Sequence, residues 1–204
     1  MLAFAGGGEA ADPAEALAAV EARYASITDL RAAFTQTSFT PSIGETSTAT
    51  GSVVVQRPGR MRWQYAPPDA RVVLLADSAV RVYSPEDKQL QIVPMTKETV
   101  SPTALSFLLG EGSLSKDFRA EFVTGEAPRD ELGLKLAPAT GDPSFESLVL
   151  WVGREDHRLV ESVVVDLFGN RTALRLSDVV ENAGTRPADF QLEVPDGTEV
   201  IDLR

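Results

Sequence analysis

The sequence predicts a mainly β fold with few helices. About eleven short strands join through turns into one strongly curved antiparallel sheet, an unclosed barrel, with two helices lying across its concave side. Three observations carry this. Apolar residues recur with period two through most of the chain, in short runs punctuated by Gly, Pro, Asp and Asn. The strand-like runs follow one another without intervening helices, which is the pattern of hairpin-connected sheets and not of alternating strand–helix units. Helical spacing occurs in only two places, far apart in sequence, and a sheet of this width curls or closes rather than staying flat.

The first element is a helix. Asp12-Pro13-Ala14-Glu15 supplies an N-cap, a proline at the first helical position and an acid in the first turn. Leu17, Val20, Tyr24 and Ile27 then recur at helical spacing as an apolar stripe. After Thr28-Asp29 the period shifts to two: Phe34, Gln36 and Ser38 alternate with Thr35, Thr37 and Phe39 before a Pro/Ser/Gly/Glu loop at 41–47. Strands follow at 51–57, 60–66, 72–76, 80–84 and 89–93, with Asp77-Ser78 and Pro85-Glu86-Asp87-Lys88 as turns. Ser101-Pro102 opens a second helix and Gly110 closes it. Its body carries Leu105, Phe107, Leu108 and Leu109 and is apolar on nearly every side, so it must be covered on more than one face or lie over something apolar. Beyond a Gly/Ser loop, strands resume at 118–124, 132–136, 148–152, 159–167, 172–180 and near 199–203, with Gly169-Asn170 as a hairpin turn. Residues 12–204 read as a single domain. Residues 1–11 read as a disordered N-terminus or the remnant of a signal peptide, because Met1–Gly8 is too short and lacks the basic start of a whole one.

Composition narrows the function. A chain of 204 residues hides roughly 70% of its unfolded surface, enough for one sizeable core. Its 19 Lys+Arg against 30 Asp+Glu leave a formal charge of −11, which argues against nucleic acid and against adsorption to anionic bilayers. The absence of cysteine excludes disulfides, thiol catalysis, thiolate zinc sites and a lipid attached through an N-terminal cysteine. The single histidine, His157, excludes a multi-histidine metal site and reads as a solvated turn residue in Arg154-Glu155-Asp156-His157. No run approaches the ~20 apolar residues that span a bilayer. There is no Gly-x-Ser-x-Gly elbow, His-Glu-x-x-His, phosphate-binding glycine loop or Asp-rich calcium loop. The sequence therefore predicts neither an enzyme, a cofactor nor a metal site.

One constellation remains. Residues 53–65 place Val53, Val55 and Arg57 on one face of a strand, and Met61, Trp63 and Tyr65 on one face of the next, with Arg60, Arg62 and Gln64 on the other. Arg57 thus points the same way as two valines, just ahead of Pro58-Gly59. Two readings are open. Arg57 caps the strand end and reaches water with its stem on apolar surface, or it projects over an apolar concavity and needs oxygens there, since an unpaired buried guanidinium is costly.

Arg57-Pro58-Gly59-Arg60-Met61-Arg62-Trp63 resembles the Arg-Pro-x-x-x-x-Trp segment of the periplasmic outer-membrane lipoprotein carrier (LolA) family. The likeness extends through Leu30-x-x-x-Phe34-x-Gln36, Tyr83-Ser84-Pro85, the Leu-rich helix at 102–109, Asp166-x-x-Gly169 and Phe190…Pro195-x-Gly197, so it covers roughly residues 12–204. The resemblance implies an unclosed half-barrel whose apolar cavity is covered by a helical lid. It implies a chaperone that shields the acyl chains of lipoproteins and carries them from an inner-membrane ABC transporter to an outer-membrane receptor. On that likeness Arg57 is the lid latch, hydrogen-bonding lid carbonyls in the empty carrier. The lid is Pro13–Ile27 and Pro102–Leu109, presenting Leu17, Val20, Tyr24, Leu105, Leu108 and Leu109. Val53, Val55, Met61, Trp63, Tyr65, Phe34 and Leu150 line the cavity. The expected protein is a periplasmic monomer whose partners are acylated lipoproteins, the transporter and the receptor, with no nucleic acid. Two alternatives stand beside it: a related half-barrel that binds another lipid or hydrophobic metabolite, and a lipoprotein-sensing regulator module, which usually carries a second domain. Arg57, Arg60, Arg62 and Arg71 also form a candidate basic patch for an acidic docking partner, against the plainer reading of solubilising surface arginines.

Overall fold

The computed structural model of the chain describes residues 12–96, 113–124, 130–139 and 145–204. Helix α1 spans Pro13–Ala25, and the sequence signals at its start are used as expected: the Asp12 carboxylate accepts from the Ala14 N–H at 2.8 Å and Pro13 takes the first position. Ala16, Leu17, Val20 and Tyr24 form its buried face. The helix ends with Ser26 as C-cap, so Ile27, which continues the stripe in sequence, lies beyond it and is buried from the connection to the sheet.

The strands are β1 (Asp29–Thr40), β2 (Glu45–Gln56), β3 (Arg60–Tyr65), β4 (Val72–Ala76), β5 (Ala79–Ser84), β6 (Gln89–Pro94), β7 (Phe118–Phe122), β8 (Glu131–Pro138), β9 (Ser147–Gly153), β10 (Leu159–Val165), β11 (Arg171–Glu181) and β12 (Glu199–Asp202), with a short helix α2 (Leu114–Asp117) before β7 and a 3-10 turn (Pro187–Phe190) after β11. All twelve form one sheet in the order β12-β6-β5-β4-β3-β2-β1-β11-β10-β9-β8-β7, whose two end strands do not pair with each other. The sheet is an unclosed half-barrel.

Among the described residues the strands number twelve, in line with the expected eleven or so. Three expectations need correction. The loop at 41–47 is shorter, because β2 begins at Glu45 and pairs with β1 residue by residue from Thr40↔Glu45 to Phe34↔Gly51. Its first residues are polar on both faces, which erases the alternation that marks a strand. Helix α2 has four residues and leaves no periodic trace. The last strand is no hairpin partner: β12 runs parallel to β6, at the far edge of the sheet from β11. The expected helix at 102–109 and the N-terminal residues 1–11 lie outside the described residues.

The two faces of the sheet are covered unequally. On one face a large continuous core joins α1 to β1, β2, β3 and the β8–β11 strands. The residues alternating with that core, Val54, Leu74 and Ala76, meet Phe190 and Leu192 of the C-terminal segment as it crosses the opposite face towards β12. We call the α1 side concave and the other side outer. Close packing on the concave side dictates one glycine. A Cβ on Gly51 would sit 2.1 Å from the Gln64 carbonyl oxygen and 2.7 Å from the Phe34 ring.

Candidate functional site

Register explains how separated residues reach one surface. Pairing sets Val55 between Leu30 and Met61, Val53 between Ala32 and Trp63, and Gly51 between Phe34 and Tyr65. Side chains directly opposite in antiparallel strands share a face, so these residues build one apolar wall across three strands. The Phe34 ring meets Trp63 at 4.7 Å and Tyr65 at 5.0 Å, both edge-on. The wall continues on the other side of β1, where Gln36 faces Leu174, Leu174 faces Ser162, and Ser162 faces Leu150. Val53, Val55, Met61, Trp63, Phe34 and Leu150 are all buried in this cluster, and Tyr65 packs against it half-buried. Leu17, Val20 and Tyr24 of α1 close over the same cluster. Leu105, Leu108 and Leu109 lie outside the described residues.

Arg57 follows directly on β2, and both of its polar ends turn to the segment that carries α1. Its backbone N–H donates to the Thr28 carbonyl at 2.8 Å. Its Nη1 donates to the Tyr24 carbonyl, and more loosely to that of Ile27 at 3.5 Å. The Tyr24 carbonyl, in the last turn of α1, also accepts from the Ile27 N–H at 3.2 Å, and a cation there complements the negative end of the helix dipole. Loss of water pulls the guanidinium below its ordinary pKa. The Arg57 guanidinium thus meets carbonyl oxygens at the end of α1.

Three further ties hold α1, and none was visible in the sequence. Arg23 donates through Nη2 to both carboxylate oxygens of Glu181, at 2.9 and 2.7 Å. Glu21 accepts from the Ser115 hydroxyl at 2.6 Å and from its N–H at 3.2 Å. The Tyr24 hydroxyl accepts from the Leu159 N–H at 3.0 Å, and burial pushes this phenol up to about 12. Each partner lies some ninety or more residues away, where no local pattern connects the two.

A polar cluster adjoins the wall on the same face. The Tyr65 hydroxyl donates to Gln36 Oε1 at 2.9 Å, Gln36 Nε2 approaches Ser38 Oγ at 3.4 Å, and the Arg71 guanidinium lies 3.8 Å from the Tyr65 ring centre. The four-arginine patch does not form. Arg57 is turned to α1 and Arg71 to Tyr65, while Arg62 on the outer face donates to the Gln191 carbonyl at 3.0 Å. His157 sits in the β9–β10 turn, its N–H donating to the Gly153 carbonyl at 2.9 Å. Among the described residues no helix is long and apolar enough to cross a membrane.

The model of the family "Outer membrane lipoprotein carrier protein LolA" matches residues 25–193. An outer-membrane lipoprotein carrier protein of Methylibium petroleiphilum is 31% identical over 192 residues, covering 92% of this chain and 90% of its own. One from Chromohalobacter salexigens is 29% identical over 153 residues, covering 75% of this chain and 70% of its own. Among solved structures, an uncharacterized conserved protein of Thermus thermophilus superposes with a TM-score of 0.58 at 17% identity, covering 92% of this chain and 97% of its own, a likeness of fold.

Proposed function

This chain belongs to the outer membrane lipoprotein carrier (LolA) family, and from that premise we propose that it takes the acyl chains of lipoproteins onto its concave face and carries them through the periplasm. In this reading it loads at an inner-membrane ABC transporter, unloads at an outer-membrane receptor, acts as a monomer and performs no chemical turnover. The observation that carries the reading is Arg57, which ties the covering helix to the sheet through the Tyr24 and Ile27 carbonyls above a continuous apolar wall.

The energetics suit such a device. Hiding one CH₂ is worth about 0.8 kcal/mol, so a single C16 chain carries on the order of 12 kcal/mol. A carrier that gripped with all of this could not let go. Cargo that displaces α1 must first re-expose Leu17, Val20, Tyr24 and Ile27, which are buried on the face that cargo would occupy. It must also break the Arg57 bonds, worth roughly 1.5–3 kcal/mol for a hydrogen bond to a charged group. Both costs subtract from net affinity and bring the covered and loaded states closer in energy.

Native mass spectrometry with a triacylated Cys-peptide and its unacylated twin tests the reading. One acylated peptide per chain, and none of the twin, is the expected result. Binding of neither peptide, or of both equally, overturns it.

A further inference from the structure

On β1 and β2 the concave face changes character halfway along β1. Towards the end of β1 nearest α1 it presents Leu30, Ala32 and Phe34, and on β2 Val55 and Val53. Past Phe34 the same face presents Gln36 and Ser38 on β1, and Ala49 and Ser47 on β2. At this boundary stand Tyr65 and Arg71, locked side by side because the Tyr65 N–H donates to the Arg71 carbonyl at 2.9 Å. The Tyr65 hydroxyl is used on Gln36, while the Gln36 amide nitrogen has only the long approach to Ser38. Arg71 lies over the Tyr65 ring, is half-buried, and pairs with no carboxylate among the described residues.

An apolar wall that ends in a guanidinium paired with no carboxylate among the described residues, beside an amide whose bond to Ser38 is long, is matched to an amphiphile and not to bare hydrocarbon. A carbonyl brought to the edge of a greasy surface loses water and must find donors there. Arg offers several in a fixed fork, and Gln two. We propose that Gln36, Tyr65 and Arg71 form a recognition site for the carbonyl-bearing linkage of an acylated ligand, the ester or amide groups that join its chains to its polar part. The site orients the ligand with its chains towards Phe34 and Trp63 and its polar end past Ser38. This rests on the carrier reading and specifies which part of the cargo is read.

The test compares two labelled Cys-peptides: one bearing a dipalmitoylglyceryl thioether, the other its dihexadecyl ether twin, with equal chains and no ester carbonyls. Dissociation constants are measured for the parent, Arg71→Met and Gln36→Leu, with melting curves to confirm folding. The parent is expected to favour the ester about tenfold, the worth of one or two net hydrogen bonds. Both variants lose that preference by weakening the ester alone. Arg71→Met, at a half-buried position, decides the matter should Gln36→Leu disturb the Tyr65 contact. Equal affinity of the parent for the two probes, or equal loss of both in Arg71→Met, overturns the site and leaves the carrier reading standing. Failure of the parent to bind either probe removes both.

Discussion

Helix α1 and the C-terminal segment each cover one face of the same sheet, but they are fastened differently. Helix α1 covers the larger apolar surface and adds no strand to the sheet. Its ties are side-chain contacts: Arg57 to two carbonyls, Arg23 to Glu181, Glu21 to Ser115, and the Tyr24 hydroxyl to the Leu159 N–H. The C-terminal segment buries little beyond Phe190 and Leu192, yet it ends in β12, whose backbone joins β6 from Glu199 to Asp202. Side-chain ties reinforce it, among them Arg31 to Asp189 at 2.5 Å and Arg62 to the Gln191 carbonyl. A strand ladder comes apart only as a unit, whereas side-chain ties can be released with the sheet intact. The more releasable fastening therefore lies over the larger apolar wall, which suits the cover of a binding surface better than a brace.

Substitutions separate the two covers. The largest expected effect comes from Gly51→Val, which spoils the wall beneath α1. Its Cβ meets the Gln64 backbone oxygen and the Phe34 ring, neither of which can yield cheaply. A loss of about 3 kcal/mol in urea unfolding is expected, at the upper end for overpacking. Phe190→Ala should cost about 2 kcal/mol, less than a full core truncation because its cluster is small. It should leave acylated-peptide affinity unchanged, and a matching loss of affinity would erase the distinction between the covers.

Proton linkage sharpens the same comparison at opposite ends of the pH scale. The Tyr24 phenol is raised from 10.0 to about 12 by burial, so its contribution is complete below pH 10 and is lost as pH rises towards 12. Tyr24→Phe should flatten the fall in urea midpoint between pH 9 and pH 11.5. The Asp189 carboxylate is held at about 2, first by the Arg186 N–H and then by Arg31. A depressed carboxylate stabilises above its ordinary value near 3.9 and loses that contribution as pH falls towards 2. Asp189→Asn should make the smallest change of all: a slightly lower midpoint at pH 7 that converges with the parent at pH 2.

Local signals were legible in the sequence, and distant partners were not. Asp12-Pro13 marks the helix start because capping is settled within three residues, and β4 matches its expected span because a turn follows it directly. Period two alone put Arg57 on the side of Val53 and Val55. It had no means of naming the Tyr24 carbonyl, 33 positions away. Residues 45–47 fall within the expected 41–47 loop, and the expected strand begins only at Gly51, because Ser and Thr line both faces of β2 there. Phe190, Leu192 and Val194 alternate with Gln191 and Glu193 as a strand would, yet among the described residues the segment pairs with no strand there, so its path across the outer face is a property of tertiary packing. The Tyr65 ring packs edge-on against Phe34. Its hydroxyl belongs to a cluster with Gln36 and Arg71 that only strand register assembles.

The latch is tested most directly by release. Protein loaded with the triacylated Cys-peptide is mixed with acceptor vesicles, and transfer is timed for the parent and for Arg57→Leu, with melting curves to confirm that both are folded. Without its bonds to Tyr24 and Ile27, α1 competes less well with cargo. Tighter binding and release slowed about tenfold or more are expected, the equivalent of one charge-assisted hydrogen bond. Release at the parental rate with unchanged affinity would contradict the role given to Arg57.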